Sequence, residues 1–407
     1  MKCGLLGRKL GHSYSPQIHA LLGNYSYQLF EKEPEEIGDF LKNGDFTGLN
    51  VTIPYKKEVI PFLDELSPAA ARLGAVNTIV RRDGKLIGHN TDYFGFRRLV
   101  QESGLQVAGK KVLVLGSGGA SSTAVAVLQE LGAKVTVISR SGENNYENLD
   151  RHADAAVIAN TTPVGMYPNT GKSALSLEDF PRLEGVLDAV YNPARTQILL
   201  DAEHRGLAAV NGLWMLVAQA KESAEWFTGE EIPDSRIAKI HHTLRLQMEN
   251  IILIGMPGCG KTAVGQQLAQ KLGKKFVDAD ESLEARVCRK ITDIIPNDGE
   301  AAFREMESET LAELGKQSGL VIATGGGCVT QPQNYPLLHQ NGTIFWLKRE
   351  LDKLPTDGRP LSQKGTLGQM YEARMPLYLR FADAAISNDG SIAETASAIC
   401  RKLEETT

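Results

Sequence analysis

The sequence predicts an α/β protein with parallel sheets and more than one domain. Residues 110–132, KKVLVLGSGGASSTAVAVLQELG, and residues 250–273, NIILIGMPGCGKTAVGQQLAQKLG, each read as a strand, a glycine-rich turn and a helix. Each opens on a short apolar run, as a parallel strand buried on both faces should. Each continues with apolar residues at helical spacing and stops at Gly132 or Gly273, where a helix can end. Length is the third observation. At roughly 100–200 residues per domain, 407 residues call for two or three domains.

Composition excludes several classes. With 42% hydrophobic and 23% charged residues, the chain has ample material for a packed core. The net charge of -5 shows no basic excess for a nucleic-acid partner. No apolar stretch reaches the roughly 18 residues of a membrane span, and the first residues do not read as a signal peptide. The five cysteines are far apart, with no CxxC, so neither a disulfide framework nor a zinc site is expected and a reducing cytoplasm fits.

Four regions follow in order. Residues 1–100 alternate β-like runs (GLNVTIP, NTIVRR) with helical stretches and are expected to form a substrate domain. Residues 101–230 carry the first βα series, and 231–247 read as a linker. In that linker GEEIPDSR suggests a turn with Asp234 as helix cap, and RIAKIHHTLRLQ an amphipathic helix. Residues 248–407 form the last domain. There is no internal repeat and no low-complexity tract.

Gly255 to Thr262 satisfies GxxxxGK[ST] in full. Glycines such as Gly258 and Gly260 let backbone N–H groups turn toward phosphate oxygens, and the following helix adds its positive end. Lys261 is placed to reach the β- and γ-phosphates, and Thr262 to hold Mg²⁺. Cys259 reads as a small filler in this nucleotide-binding loop rather than a nucleophile. Asp278 and Asp280 stand two apart at the end of FVDAD, pointing to one side of a strand. One carboxylate could serve Mg²⁺ and the other a hydroxyl, or the pair could cap the next helix. Arg304 and Glu307, one helical turn apart, could be a surface ion pair. Gly325, Gly326 and Gly327 after LVIAT permit close approach to a ligand or form a plain turn.

In the first βα turn, Gly116, Gly118, Gly119 and Ala120 make an approximate GxGxxG with Ser121 at the third glycine position. The next strand, KVTVI, ends in Ser139 and Arg140 where an NAD site favours an acidic residue. An arginine suits a 2′-phosphate, so NADP is expected over NAD. Upstream, HSYSP, LNVTIPYKK, GAVNT and GHNTDYFG concentrate polar residues that could also be ordinary strand or turn polars.

GMPGCGKT, FVDAD, GEAAFREME, ATGGG, GRPLS and ARMPLYLRFAD, in this order, resemble the shikimate kinase family over 248–407. That resemblance implies that Asp280 orients or deprotonates the shikimate hydroxyl and that Asp278 acts beside Mg²⁺. It implies that Arg304 and Arg374 hold the shikimate carboxylate, with Gly325 to Gly327 lining the pocket. Arg359, in GRPLS, is the implied lid arginine over the transferring phosphate. No adenine-packing arginine can be placed in the preceding KRELDKLPTD.

GLLGRKLGHSYSP, NVTIPYK, GAVNT, GHNTDYFG, GSGGA, NTTPVGM, DAVYNPARTQILL and GLWMLVAQA resemble the shikimate dehydrogenase family over about 1–225. This implies an N-terminal substrate domain and a Rossmann NADP domain whose C-terminal helices return to the substrate domain. The implied catalytic pair is Lys56 and Asp92. Ser13, Ser15, Asn50, Thr52, Asn77, Tyr191 and Gln219 are the implied substrate ligands, with Gly212 and Met215 beside the nicotinamide. The family's NADP turn is more basic than SRSGENNYE, and the loop after Arg140 looks shortened.

Together the resemblances imply two successive steps in aromatic precursor synthesis. NADPH would reduce 3-dehydroshikimate to shikimate, and ATP with Mg²⁺ would then phosphorylate it to shikimate 3-phosphate. A quinate-directed front half, a degenerate regulatory half and a generic P-loop small-molecule kinase are the alternatives. Oligomeric state and substrate channelling are not legible.

Overall fold

The computed structural model describes residues 1–11, 13–354 and 367–405. Contacts divide them into two compact units. The first comprises Met1–Gly165, Ser173–Tyr191 and Ile198–His242, and the second Met166–Lys172, Asn192–Gln197 and Thr243–Thr407. No helix among the described residues is long and apolar enough to cross a membrane.

The first unit holds two sheets. One has six strands: β1 (Lys2–Gly7), β2 (Ser26–Glu31), β3 (Gly48–Val51), β4 (Glu65–Leu66), β5 (Thr78–Arg82) and β6 (Lys85–His89). Their order is β2-β1-β3-β5-β6-β4. β1 runs parallel to β2 and β3, whereas β5 runs antiparallel to both β3 and β6. The mixed sheet follows from its connections: β5 and β6 are joined by the tight Asp83-Gly84 turn, with both residues at positive φ. Leu6, Leu49, Val51 and Ile79 from this sheet pack with Ile37, Leu41 and Tyr55 into one core.

The other sheet is wholly parallel: β7 (Lys111–Leu115), β8 (Lys134–Ile138), β9 (Val157–Asn160), β10 (Gly185–Asp188) and β11 (Ala208–Val210), ordered β11-β10-β9-β7-β8. The order reverses at β7, which lies between β8 and β9. At such a switch point a crevice opens outside the carboxyl ends of the strands. Between β8 and β9 the chain makes one helical turn, Leu149–His152, in place of a crossover helix.

The second unit has the third sheet, wholly parallel, of β12 (Asn250–Ile254), β13 (Lys275–Asp278), β14 (Leu320–Ala323), β15 (Gly342–Lys348) and β16 (Ala384–Ser387), ordered β13-β14-β12-β15-β16. All of β12 is buried, which explains its unbroken apolar run. The helix Ile291–Gly315 is kinked where Gly299 adopts φ 89°.

The linker helix spans Ser235–Met248. Asp234 stands just before it as expected, but its carboxylate meets Lys221 at 3.2 Å and Arg98 at 3.5 Å.

Candidate active sites

Each unit holds a polar cavity. In the first, a cavity of about 230 Å³ is lined by Ser13, Ser15, Asn50, Thr52, Lys56, Asn77, Asp92, Tyr191, Gly212, Met215 and Gln219. Thus residues from 13 to 219 in the sequence converge on one space. Lys56 Nζ donates to Asp92 Oδ2 at 2.5 Å. The lysine's backbone is held by Val76 N–H donating to Lys56 O at 2.7 Å, and its neighbours Tyr55 and Val59 are fully buried. Asp92 opens the helix Asp92–Glu102, where the positive helix end favours its charge. A cation and a carboxylate in contact at a cavity wall can pass a proton to a reacting oxygen and hold the donor in place.

Ser15 begins the helix Ser15–Leu22, with Pro16 in its first turn. Asn50 and Asn77 are buried and tied to Thr78, Thr91 and Ser223. These three were not among the expected site residues. Thr78 and Thr91 directly neighbour Asn77 and Asp92, and Ser223 lies one helical turn after Gln219. That spacing was the available signal.

The turn after β7 is shaped for a diphosphate. Gly116 has φ 110°, and a Cβ there would stand 3.0 Å from Thr161 Oγ1. Gly118 and Gly119 face open space at the start of the helix Gly119–Glu130. Ser121, where a third glycine was expected, is buried and donates from Oγ to Gly116 O at 2.7 Å. Its hydroxyl closes the turn from within. Ala120 lies in the first turn of that helix; Ser139 and exposed Arg140 follow directly on β8.

In the second unit a cavity of about 420 Å³ is lined by Gly258, Gly260, Lys261, Thr262, Asp278, Asp280, Arg304, Gly325, Gly326, Gly327 and Arg374, together with Glu307 and Thr324. Gly255, Gly258 and Gly260 all have positive φ, the conformation that turns successive N–H groups into one concavity. Lys261 Nζ donates to Gly255 O and Met256 O at 2.9 and 3.1 Å, folding over its own loop. Cys259 is buried and does not line the cavity, in keeping with a filler role. Its carbonyl accepts from Asn388 Nδ2 at 2.6 Å.

The two aspartates differ from the strand expectation. Asp278 ends β13 and caps the next helix, accepting from Asp280 N–H at 3.0 Å. Asp280 lies in the first turn of that helix, Ala279–Val287. The strand stops two residues short of Asp280, so it does not hold both on one face. Capping and ligand chemistry coexist, because the other Asp278 oxygen accepts from Thr262 Oγ1 at 3.0 Å. That pair of hard oxygen donors suits Mg²⁺.

Arg304 and Glu307 are paired at 2.8 Å and are only 7% and 3% exposed, so the surface reading fails. Glu307 Oε1 has no hydrogen-bond partner among the described residues. A Cβ on Gly325 would stand 2.5 Å from that oxygen and 2.9 Å from Asp280 Oδ1, so the two carboxylates flank this glycine. Burial first, then the Glu307 and Asp278 charges, push the Asp280 carboxyl up to about 6. Burial likewise raises Glu307. Arg374 Nη1 and the Tyr378 hydroxyl donate to Gly326 O at 3.2 and 2.5 Å. Tyr378 was missing from the expected set; its contact to Gly326 is distant in sequence, whereas Glu307 is held by its near neighbour Arg304. Arg359 lies outside the described residues.

The sequence and fold are similar to those of known proteins. Residues 5–79 match the family model for the shikimate dehydrogenase substrate binding domain, and 257–404 match that for shikimate kinase. A shikimate dehydrogenase (NADP(+)) of Clostridium perfringens is 37% identical over 264 residues, covering 60% of this chain and 97% of the relative.

The chain belongs to the shikimate dehydrogenase family.

Solved shikimate dehydrogenases agree with this membership. That of Peptoclostridium difficile is 38% identical with a TM-score of 0.55, covering 60% of this chain and 98% of its own. The Thermus thermophilus enzyme, in complex with NADP(H) and shikimate, is 30% identical with a TM-score of 0.54, covering 60% and 99%. The remaining C-terminal part is a shikimate kinase domain. One chain therefore carries an oxidoreductase fold and a kinase fold of the shikimate pathway.

Proposed function

We propose that the first unit reduces 3-dehydroshikimate to shikimate with NADPH and that the second phosphorylates shikimate at its 3-hydroxyl with ATP and Mg²⁺. The observation that carries this reading is the convergence of both polar sets on single cavities, with Lys56 against Asp92 in one and Asp280 beside Lys261, Arg304 and Arg374 in the other.

In the reductase, NADPH supplies the hydride. Lys56 gives a proton to the oxygen on which negative charge develops, and Asp92 holds the ammonium in place. Ser13, Ser15, Asn50, Thr52, Asn77, Tyr191 and Gln219 bind the ring hydroxyls and carboxylate. The open, positive-φ turn at Gly116 and the N-terminus of Gly119–Glu130 fit a diphosphate, and Arg140 meets the 2′-phosphate. Gly212 and Met215, at the cavity wall, pack beside the nicotinamide.

In the kinase, the positive-φ loop and Lys261 cradle the ATP phosphates, and Thr262 with Asp278 holds Mg²⁺, which offsets charge on the phosphate oxygens. Arg304 and Arg374 hold the shikimate carboxylate. Asp280 accepts the proton of the attacking hydroxyl. Gly325 to Gly327 let the ring approach the backbone. Arg359 completes the charge stabilisation from the segment outside the described residues.

Purified chain given 3-dehydroshikimate, NADPH, ATP and Mg²⁺ should oxidise NADPH and accumulate shikimate 3-phosphate, identified by mass. Reduction of 3-dehydroquinate to quinate in preference would redirect the first unit. Unphosphorylated shikimate would sink the kinase assignment.

Gly327 offers a local test. A Cβ there would lie 2.1 Å from Arg304 Nη2, and the arginine cannot yield freely because Glu307 and Glu300 hold it. Gly327→Ala should therefore raise the kinase KM for shikimate by about 10- to 100-fold, the worth of a charged hydrogen bond. The KM for ATP should stay within about threefold, as expected for a displaced substrate arginine.

A further inference from the structure

The dehydrogenase cavity is backed by a closed hydroxyl–amide network whose polarity is set by one residue, Ser223. This side chain is 0% exposed. It lies on the helix Leu213–Thr228, four residues after Gln219, so the two share a face. Four polar atoms surround Ser223 Oγ: Gln219 O at 2.9 Å, Asn50 Nδ2 at 2.8 Å, Thr78 Oγ1 at 2.8 Å and Thr91 Oγ1 at 2.9 Å.

A serine hydroxyl has one proton and two lone pairs. A backbone carbonyl can only accept, so Gln219 O takes the proton. Ser223 then offers its other neighbours only its two lone pairs. Asn50 therefore turns its NH₂ toward Ser223, with a second contact to Thr78 Oγ1 at 3.2 Å. Its oxygen faces the other way, where the Tyr27 hydroxyl donates to Oδ1 at 2.8 Å. Only one threonine can use the remaining lone pair of Ser223; the other is served by Asn77 Oδ1, which stands 3.2 Å from each. Asn77 Oδ1 also accepts from Thr91 N–H at 2.7 Å, leaving Nδ2 on the side of Gln219 Oε1.

We propose that Ser223 is the positioning residue that makes Asn50 a pure hydrogen-bond acceptor toward the substrate, so that the ring position facing Asn50 must carry a hydroxyl. Both Asn50 N–H groups are spent on the network, so Oδ1, which already accepts from Tyr27, is the polar atom Asn50 can offer to a ligand in the cavity it lines. A ring hydroxyl can donate to it. A ketone or a methyl ether at that position cannot, and would set two acceptors against each other. This deepens the dehydrogenase reading above and rests on it.

The test follows shikimate oxidation with NADP⁺, comparing shikimate with its mono-deoxy and mono-O-methyl analogues in the full chain. Wild type should disfavour the analogue altered at the Asn50-facing hydroxyl by about tenfold in kcat/KM, the usual scale for one neutral hydrogen bond. Ser223→Ala should raise the shikimate KM by about five- to tenfold with kcat within about threefold, and discrimination against that one analogue should fall below about twofold. Tyr27→Phe, which leaves the Ser223 contact in place, should keep the discrimination.

An unchanged KM and discrimination in Ser223→Ala would overturn the proposal. So would an equal loss for every analogue, which would mean general loosening of the fold. Independently of substrate, the Asn50 side-chain amide protons, followed by NMR in the free chain, should exchange faster in Ser223→Ala; equal protection would also overturn it. If wild type fails to oxidise shikimate, the functional reading fails, while the NMR comparison still judges the network.

Discussion

Lys56→Ala should lower NADPH-dependent reduction of 3-dehydroshikimate by about 10²- to 10⁴-fold, the range for loss of a positioned general acid. ATP-dependent phosphorylation of added shikimate by the same protein should not change. The Lys56 ammonium meets Asp92 at 2.5 Å on the cavity wall. Its side chain is 28% exposed, so truncation opens no core cavity. The backbone stays tied through Val76 N–H, and the buried Tyr55 keeps its hydroxyl on Lys32 O at 2.5 Å. The loss should therefore fall on kcat, with a melting temperature close to wild type. Asp92→Asn should cost less, because the amide can still accept from Lys56 but no longer holds it by charge. Retention of more than about a tenth of the wild-type rate in Lys56→Ala would remove the lysine from the chemistry.

Asp280→Asn should lower phosphoryl transfer to shikimate by about 10²- to 10⁴-fold while making the kinase unit more heat-resistant at alkaline pH. Both effects come from one environment. Burial and the neighbouring Glu307 and Asp278 charges raise the Asp280 carboxyl from 3.8 to about 6. The fold thus disfavours the ionised form. Its contribution to stability is fully present below the unfolded value of 3.8 and is lost as pH rises through about 6. The variant should melt above wild type at pH 8, and the gap should close near pH 4. In wild type, kcat/KM for shikimate should rise with pH around a midpoint near 6, because the proton acceptor must be ionised. A profile flat through pH 6, or an Asp280→Asn protein that melts lower at pH 8, would exclude this account.

Local spacing made much of both sites legible. Gly255 to Thr262 identified the phosphate loop because each residue acts through its own backbone angle or a short reach. KVLVL was visible as a strand because its apolar run is buried in a parallel sheet, and KVTVI by its β-branched residues, although this edge strand is buried only at Ile138. Asp278 shows where local reading stops. Its spacing to Asp280 is identical in a strand and at a helix start, so the sequence could not say that the chain turns between them. Arg304 and Glu307 show the same limit. An i,i+3 pair looks alike on a solvated helix and on one whose face closes a cavity.

The sequence by itself determined the two fold types, the two families they resemble and most of the side chains that line the cavities. Those properties are written in short motifs, whose turns and helical spacings are set within a few residues. Only the tertiary structure decided that Asp280 meets Glu307 across Gly325 and that Ser223 meets Asn50, Thr78 and Thr91. Sheet order and helix packing create those encounters, and no local pattern encodes either. The encounters in turn set the raised Asp280 carboxyl and the orientation of the Asn50 amide, because charge and hydrogen-bond polarity depend on what lies within a few ångströms in space.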